Sequence, residues 1–225
     1  MTFLELVNRA RQECGVSGPD LLTVQGLSGE ALRIANWVAS AWTDIQTSQE
    51  SWLFLRETFS FNLVALQWEY TAAQAGVTNF GNWKRDSFRC SSVDQQYRDE
   101  QLLNYMDWSV YRNLYQYGNM RYTNARPVVV SITPSKHLAF GSIPNQAYVI
   151  VGEYYKSPQT LTADTDVPIM PDRFHLAIVY RAMMSYAGYE AAPEVYQRGE
   201  LEFKRLNNRL LIDQLETTVS GPPLA

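Results

Sequence analysis

The sequence predicts an α+β protein in which a helical bundle formed from both chain ends carries an inserted antiparallel β-rich domain. Near both ends, apolar residues recur at spacings of three and four, which is typical of amphipathic helices. From residue 57, apolar and polar residues alternate instead, as they do on half-buried strands. The predicted domains are therefore 1–56 with 157–216 (helical bundle), 57–156 (β-rich insertion) and 217–225 (extended C-terminal tail).

The N-terminal segment predicts two helices. The first has one apolar face, made of Phe3, Val7, Ala10 and Cys14. The second is predicted over 28–48, with Ser28 as its N-cap. Its apolar stripe comprises Ala31, Ala35, Val38, Trp42 and Ile45.

The middle of the chain is predicted to be mostly strands. They are expected at 57–63, 68–71, 87–93, 127–133, 136–140 and 148–155, with the second pairing with the first. The segment 72–84 is rich in Gly and Asn and is predicted to be a long loop. The segment 100–118 is predicted to be a helix because its apolar residues follow helical spacing. These residues are Leu103, Met106, Val110, Leu114 and Tyr117.

The segment 171–215 predicts a hairpin of two helices. Pro171 suits a first helical turn, and Gly188 suits the end of the first helix. Pro193 then begins a second helix, whose stripe is Tyr196, Gly199, Phe203, Leu206 and Leu210. The predicted helical core residues of the protein are Trp42, Phe174, Ile178, Phe203 and Leu206.

Composition and charge limit the classes of function. Hydrophobic residues are 46% of the 225 residues and charged ones 19%, so a folded core is expected. A net charge of −4 argues against a surface that broadly coats nucleic acid. The chain shows no signal-peptide pattern and no apolar run long enough to span a bilayer, which predicts a soluble, intracellular protein. Cys14 and Cys90 could form one disulfide, but two buried thiols are the favoured interpretation.

The sequence offers no convincing catalytic or metal-binding pattern. His137 and His175, the two histidines, do not stand at ligand spacing from a cysteine or from each other. Asp164 and Asp166 could act as paired carboxylates, although acidic pairs in such linkers are usually solvated. We therefore predict no catalytic residue, no metal and no cofactor.

A basic cluster leaves a nucleic-acid function open as an alternative. Lys84, Arg85 and Arg89 are interleaved with Trp83 and Phe88, which superficially resembles a face that binds single strands. The 14 tyrosines and six tryptophans are also typical of protein–protein interfaces. An interaction protein is the favoured interpretation, and a DNA-processing factor is the weaker one.

Three blocks of the sequence carry a resemblance to a known family. They are FLELVNRARQECGVSG, ALRIANWVASAWTDIQTSQESWLFLRETFSF and PDRFHLAIVYRAMMSYAGYEAAPEVYQRGELEF. Together they resemble tailed-bacteriophage head-to-tail adaptor (connector) proteins, over most of the chain. The resemblance implies a structural virion protein at the head–tail interface, made in the host cytoplasm. A second phage component of similar size, such as a tail-completion protein, stays open as an alternative.

The resemblance also implies partners. It implies a homo-oligomeric ring, expected to be dodecameric, that lies beneath the portal protein, extends the DNA channel and presents a surface to a tail or nozzle protein. Genomic DNA is expected to pass through without sequence-specific binding during ejection, and no membrane is involved. The C-terminal segment is expected to contact the portal, with candidate contacts at Leu211, Leu215, Val219, Pro222 and Leu224. The alternative, that the C-terminal segment has no role in binding, stays open.

Overall fold

The structure, a computed structural model, describes residues 1–95 and 97–216 and confirms the α+β class. The chain divides into two compact units. Among the described residues, the helical unit contains Met1–Leu55 and those from Pro158 to Glu216, and the β unit contains those of Arg56–Ser157. Within the described residues the α-helices are α1 (Phe3–Glu13), α2 (Gly29–Thr47), α3 (Trp108–Tyr111), α4 (Leu176–Glu190) and α5 (Pro193–Gln214).

The strands all belong to the β unit. They are β1 (Arg56–Asn62), β2 (Glu69–Tyr70), β3 (Phe80–Trp83), β4 (Arg89–Ser92), β5 (Gln101–Leu102), β6 (Asn104–Tyr105), β7 (Val129–Ile132), β8 (Leu138–Gly141) and β9 (Tyr148–Lys156). One sheet has the order β1-β9-β4-β5, with β3 also paired to β9, and the other has the order β2-β8-β7-β6. All pairings are antiparallel within the described chain except that of β6 with β7.

In the helical unit, α1 begins with a capping box. The Thr2 hydroxyl accepts a hydrogen bond from the Glu5 amide at 3.3 Å, and the Glu5 carboxylate accepts one from the Thr2 amide at 2.9 Å. Two amides that the helix cannot pair internally are thereby satisfied. Ser28 precedes α2 as predicted, but its hydroxyl makes no capping hydrogen bond in the described chain.

A buried glutamine fixes the returning chain against α2. The Gln46 side chain accepts a hydrogen bond from the Gln159 amide at 2.7 Å and donates one to the Gln159 carbonyl at 2.9 Å. The indole of Trp42, which is fully buried, donates to the Gln159 side chain at 3.2 Å. These bonds satisfy polar groups that burial would otherwise leave unpaired.

Both predicted limits of the first hairpin helix are wrong. After Pro171, a 3₁₀ turn at Asp172–Phe174 comes first, and α4 begins only at Leu176. Gly188 lies inside α4, which continues to Glu190. The helix ends at Ala191, which takes a left-handed conformation and donates its amide to the Ala187 carbonyl. A single left-handed residue is a common helix end, and alanine can adopt it at a modest cost.

Helix α4 packs against α1, α2 and α5. At the α4–α5 contact, a Cβ on Gly199 would lie 3.1 Å from the Tyr180 carbonyl oxygen and 3.3 Å from the Met183 Cβ. Glycine at this position therefore lets the two helices approach closely. Around Gly188, by contrast, no described atom other than those of its chain neighbours and of the nearby backbone of its own helix lies within 4 Å of the position of a Cβ.

These two glycines give a matched prediction. Gly188→Ala should raise the free energy of unfolding by about 0.5–1 kcal/mol, because alanine loses less backbone entropy in a helix. Gly199→Val should lower it by about 1–3 kcal/mol, because the added methyl groups overpack the contact. Chemical denaturation of the full chain measures both. Equal effects at the two positions would contradict the close approach.

In the β unit, β2 does not pair with β1 as predicted. It pairs with β8 in the other sheet. Leu66 takes a left-handed conformation in the turn after β1, and the Tyr70 hydroxyl accepts from the Val64 amide at 2.7 Å and donates to its carbonyl at 3.1 Å. The turn redirects the chain to the second sheet, and β1 pairs instead with β9 in the register Arg56↔Tyr155.

The core of the β unit is aromatic. Phe59, Phe88 and Phe140 are buried in one cluster that includes strands of both sheets. A Cβ on Gly152 would lie 2.8 Å from the Phe88 ring and 3.0 Å from the Phe59 ring, so only glycine fits there. The other side of the second sheet is packed by Trp108 and neighbouring aromatic residues.

Two predictions for the middle of the chain are wrong. The expected loop 72–84 contains β3, and the expected helix 100–118 contains β5, β6 and then only the short α3, followed by a π-helical turn at Arg112–Gln116. Main-chain partners explain the second difference. The amides of Leu103 and Asn104 donate to the carbonyls of Phe88 and Val128, at 2.9 and 3.0 Å. Tertiary pairing overrides helical spacing here.

Candidate interaction surfaces

The basic cluster predicted as a possible single-strand-binding face lacks the exposed rings that stacking requires. Trp83 and Phe88 are both buried in the core of the β unit. Lys84 lies 3.8 Å from the Glu153 carboxylate, and Arg89 lies 3.1 Å from that of Glu100. The rings cannot stack on bases, and the two cations are partly neutralised.

The two histidines serve structural contacts. His175 is buried, with Nε2 3.0 Å from the Met170 carbonyl oxygen and Nδ1 2.8 Å from the Met1 amine. Burial, which disfavours the charged form, lowers the pKa of His175. His137 Nδ1 lies 2.9 Å from the Glu69 carboxylate. No group of three or more His, Cys, Asp or Glu side chains in residues 1–95 and 97–216 is placed to hold a metal ion.

The two linker aspartates, Asp164 and Asp166, accept hydrogen bonds from main-chain amides. The Asp164 carboxylate accepts from the Val24 amide at 2.6 Å. The Asp166 carboxylate accepts from the amides of Thr162 and Ala163, each at 2.7 Å. These amide hydrogen bonds lower the pKa of Asp166. Both side chains thus shape the linker that returns to α4.

The two thiols are free and buried. Burial raises the pKa of Cys14 to about 12 and also raises the pKa of Cys90. A thiol that stays protonated at neutral pH is a poor nucleophile.

Of the predicted helical core residues, Trp42, Phe174, Ile178 and Leu206 are buried, whereas Phe203 is only partly buried. The stripe on α5 is therefore narrower than its sequence suggests. Gly199, Leu206 and Leu210 are its buried members, and Tyr196 lies exposed.

One surface of the helical unit is an apolar groove at the end of α5. We define the apolar groove by the residues that line its volume of about 520 Å³, which are Arg173, Phe174, Leu206, Arg209, Ile212 and Asp213. Phe174 and Leu206 are buried, whereas Ile212 is 84% exposed. The Arg173 guanidinium pairs with the Asp213 carboxylate at the groove. An isoleucine so exposed beside a groove is a candidate contact for another protein.

Two of the five predicted portal contacts lie among the described residues. Leu211 and Leu215 are half-buried at the end of the helical unit, and Val219, Pro222 and Leu224 lie outside the described residues. Ile212 was missed by the sequence analysis. Its position in the sequence could have indicated exposure. Ile212 is an apolar residue on the charged face of α5, away from the stripe of Leu206 and Leu210.

The β unit has its own candidate surface around α3 and the turns that follow. We define the Arg–Tyr surface by Arg112, Leu114, Tyr117, Met120, Arg121 and Tyr122, all exposed. Tyr117 is 70% and Tyr122 is 81% exposed. The two arginines lie over the rings of Tyr117 and Tyr122, with 5.5 and 5.8 Å from guanidinium carbon to ring centroid. A cleft of about 230 Å³ adjoins this surface and includes Tyr111 and Tyr115 in its lining.

No curated protein matches the chain. Within the described part of the chain, no helix has the length and apolar character needed to cross a membrane. The family model described as SU10 adaptor protein matches residues 1–223. The chain therefore belongs to the SU10 adaptor protein family, consistent with the phage head-to-tail adaptor that its sequence resembles.

Proposed function

We propose that this protein is a structural head-to-tail adaptor that forms a ring beneath the portal, extends the DNA channel and connects the capsid to the tail. The observation that carries the proposal is the family match over residues 1–223. The apolar groove and the Arg–Tyr surface support it, because an adaptor needs separate contacts for separate partners.

Each unit has a role in this proposal. The helical unit is a bundle formed from both chain ends, and it contacts the portal through the apolar groove and the residues after α5. The candidate contacts Leu211, Leu215, Val219, Pro222 and Leu224 belong to this side. The β unit, inserted over 57–156, faces the tail or nozzle protein. The ring is dodecameric, and its neighbouring copies meet through two different patches, as in any ring closed by rotation.

DNA passes through the channel without sequence-specific binding. A net charge of −4 supports this, because a lumen that held phosphates tightly would slow ejection. The pairing of Lys84 and Arg89 with carboxylates also supports it.

Electron microscopy of the protein mixed with its cognate portal tests the proposal. We expect rings attached to one end of the portal, with the symmetry of the ring read from class averages. A mixture without rings and without portal association would contradict it. Immunogold labelling of the protein in whole particles separates this location from that of a tail-completion protein, whose label would lie within or at the far end of the tail.

A further inference from the structure

The Arg–Tyr surface has the composition of a protein-binding site. The segment 108–122 contains arginines, tyrosines, a methionine and aliphatic residues, and it contains no Lys, Asp or Glu. Cores of protein interfaces are enriched in Tyr, Met and Arg and depleted in Lys, Glu and Asp. The surface thus combines the residue types that most often dominate binding energy.

Both arginines of this surface are available to a partner. Arg112 and Arg121 have no carboxylate partner in residues 1–95 and 97–216, whereas the nearby Arg126 lies 2.8 Å from the Asp99 carboxylate. Each free guanidinium rests on a tyrosine ring of its own chain. Such stacking holds a charged group in place before binding, which lowers the entropy cost of a contact with a carboxylate.

A protein surface fits this site better than a nucleic acid. Among the described residues that define this surface, Arg112 and Arg121 are the two cations, and the exposed Leu114 and Met120 belong to the same surface. Phosphate binding relies on several cations along one groove. An acidic protein surface with aromatic residues matches both the charge and the apolar area.

The helical unit carries such a surface. Its sequence has 15 acidic and nine basic residues, whereas the β unit has eight acidic and ten basic ones. Glu190 and Glu194, at the turn between α4 and α5, are exposed and form no ion pair within the described residues. Tyr196, which is 40% exposed, lies beside them, and so does Tyr189, whose ring has the Arg33 guanidinium 4.5 Å from its centroid. We name these four residues the Glu–Tyr surface.

We infer that the Arg–Tyr surface of one copy docks onto the Glu–Tyr surface of a neighbouring copy. Two free arginines then face two free glutamates, and the aromatic cleft beside Tyr122 receives a tyrosine of the neighbour. The two surfaces differ, so the contact is heterologous and suits a ring. The inference rests on the proposed function for the ring and adds the residues that join its subunits.

Charge exchange tests this contact, with rings on the portal counted by electron microscopy. Arg112→Glu with Arg121→Glu should reduce the number of rings at least tenfold, and so should Glu190→Arg with Glu194→Arg. Combining all four substitutions in one chain should restore rings. Arg98→Glu should leave the number of rings unchanged. It also replaces an exposed arginine of the β unit by glutamate, but outside the Arg–Tyr surface. Circular dichroism and thermal melts confirm that each variant is folded.

A photocrosslinker at the position of Tyr117 identifies the neighbour directly. Benzoylphenylalanine there should crosslink to a peptide containing 189–196 of a second copy, identified by mass spectrometry. Rings that persist after either double reversal, or crosslinks to the portal, a tail protein or DNA, would overturn the inference. Those outcomes leave the proposed function intact as long as the wild-type chain forms rings on the portal, whereas a wild type without rings contradicts the proposed function itself.

Discussion

Ala182→Asp is expected to prevent the helical unit from folding. Ala182 is 2% exposed in α4, the helix that packs against α1, α2 and α5. A carboxylate at this position is removed from water and crowds the packed helices. An unpaired buried charge costs about 3–5 kcal/mol, a large share of the roughly 5–15 kcal/mol that stabilises a typical protein. We expect insoluble protein, or a cooperative unfolding transition that is lost for this unit in chemical denaturation.

Ser185→Asp is the matched control, because Ser185 lies on the same helix and is exposed. It should change the free energy of unfolding by less than about 0.5 kcal/mol. A soluble and folded Ala182→Asp protein that failed to assemble would contradict the expectation. It would make this face of α4 a subunit interface instead of a core.

Ile212→Glu is expected to weaken binding to the portal strongly while the protein stays folded. Ile212 is 84% exposed, so the substitution removes no core packing. In the proposed function it is the apolar anchor beside Phe174 and Leu206, and a carboxylate there would be desolvated in the complex. Loss of such an anchor costs about 2 kcal/mol or more, which corresponds to at least a thirtyfold weaker portal complex. Co-sedimentation with the purified portal measures the change.

Leu201→Glu is the control for this experiment. Leu201 is 68% exposed on α5 and does not line the apolar groove. It should bind the portal as the wild type does. Equal binding by Ile212→Glu and the wild type would place the portal contact elsewhere, and equal loss in both variants would point to a general effect of charge on α5.

The sequence predicts the interaction surfaces only in part. Tyrosine enrichment indicated an interaction protein, but it did not separate the buried Tyr111 from the exposed Tyr117 and Tyr122. The cluster around Lys84 resembles a binding face in the sequence. In the structure Trp83 and Phe88 are buried, so their rings cannot stack on bases. Ile212 lies off the buried stripe of α5, so helical periodicity does not predict it as a contact.

The sequence by itself determined the α+β class and the elements whose periodicity is local. Helices α1, α2 and α5 and strands β1 and β9 lie close to their predicted positions because their own side chains specify which face is buried. Only the tertiary structure decided the segment 100–118, the partner of β2 and the end of α4. In each case a hydrogen bond to a residue distant in the chain, or a left-handed turn, outweighs a local preference of less than about 1 kcal/mol per residue.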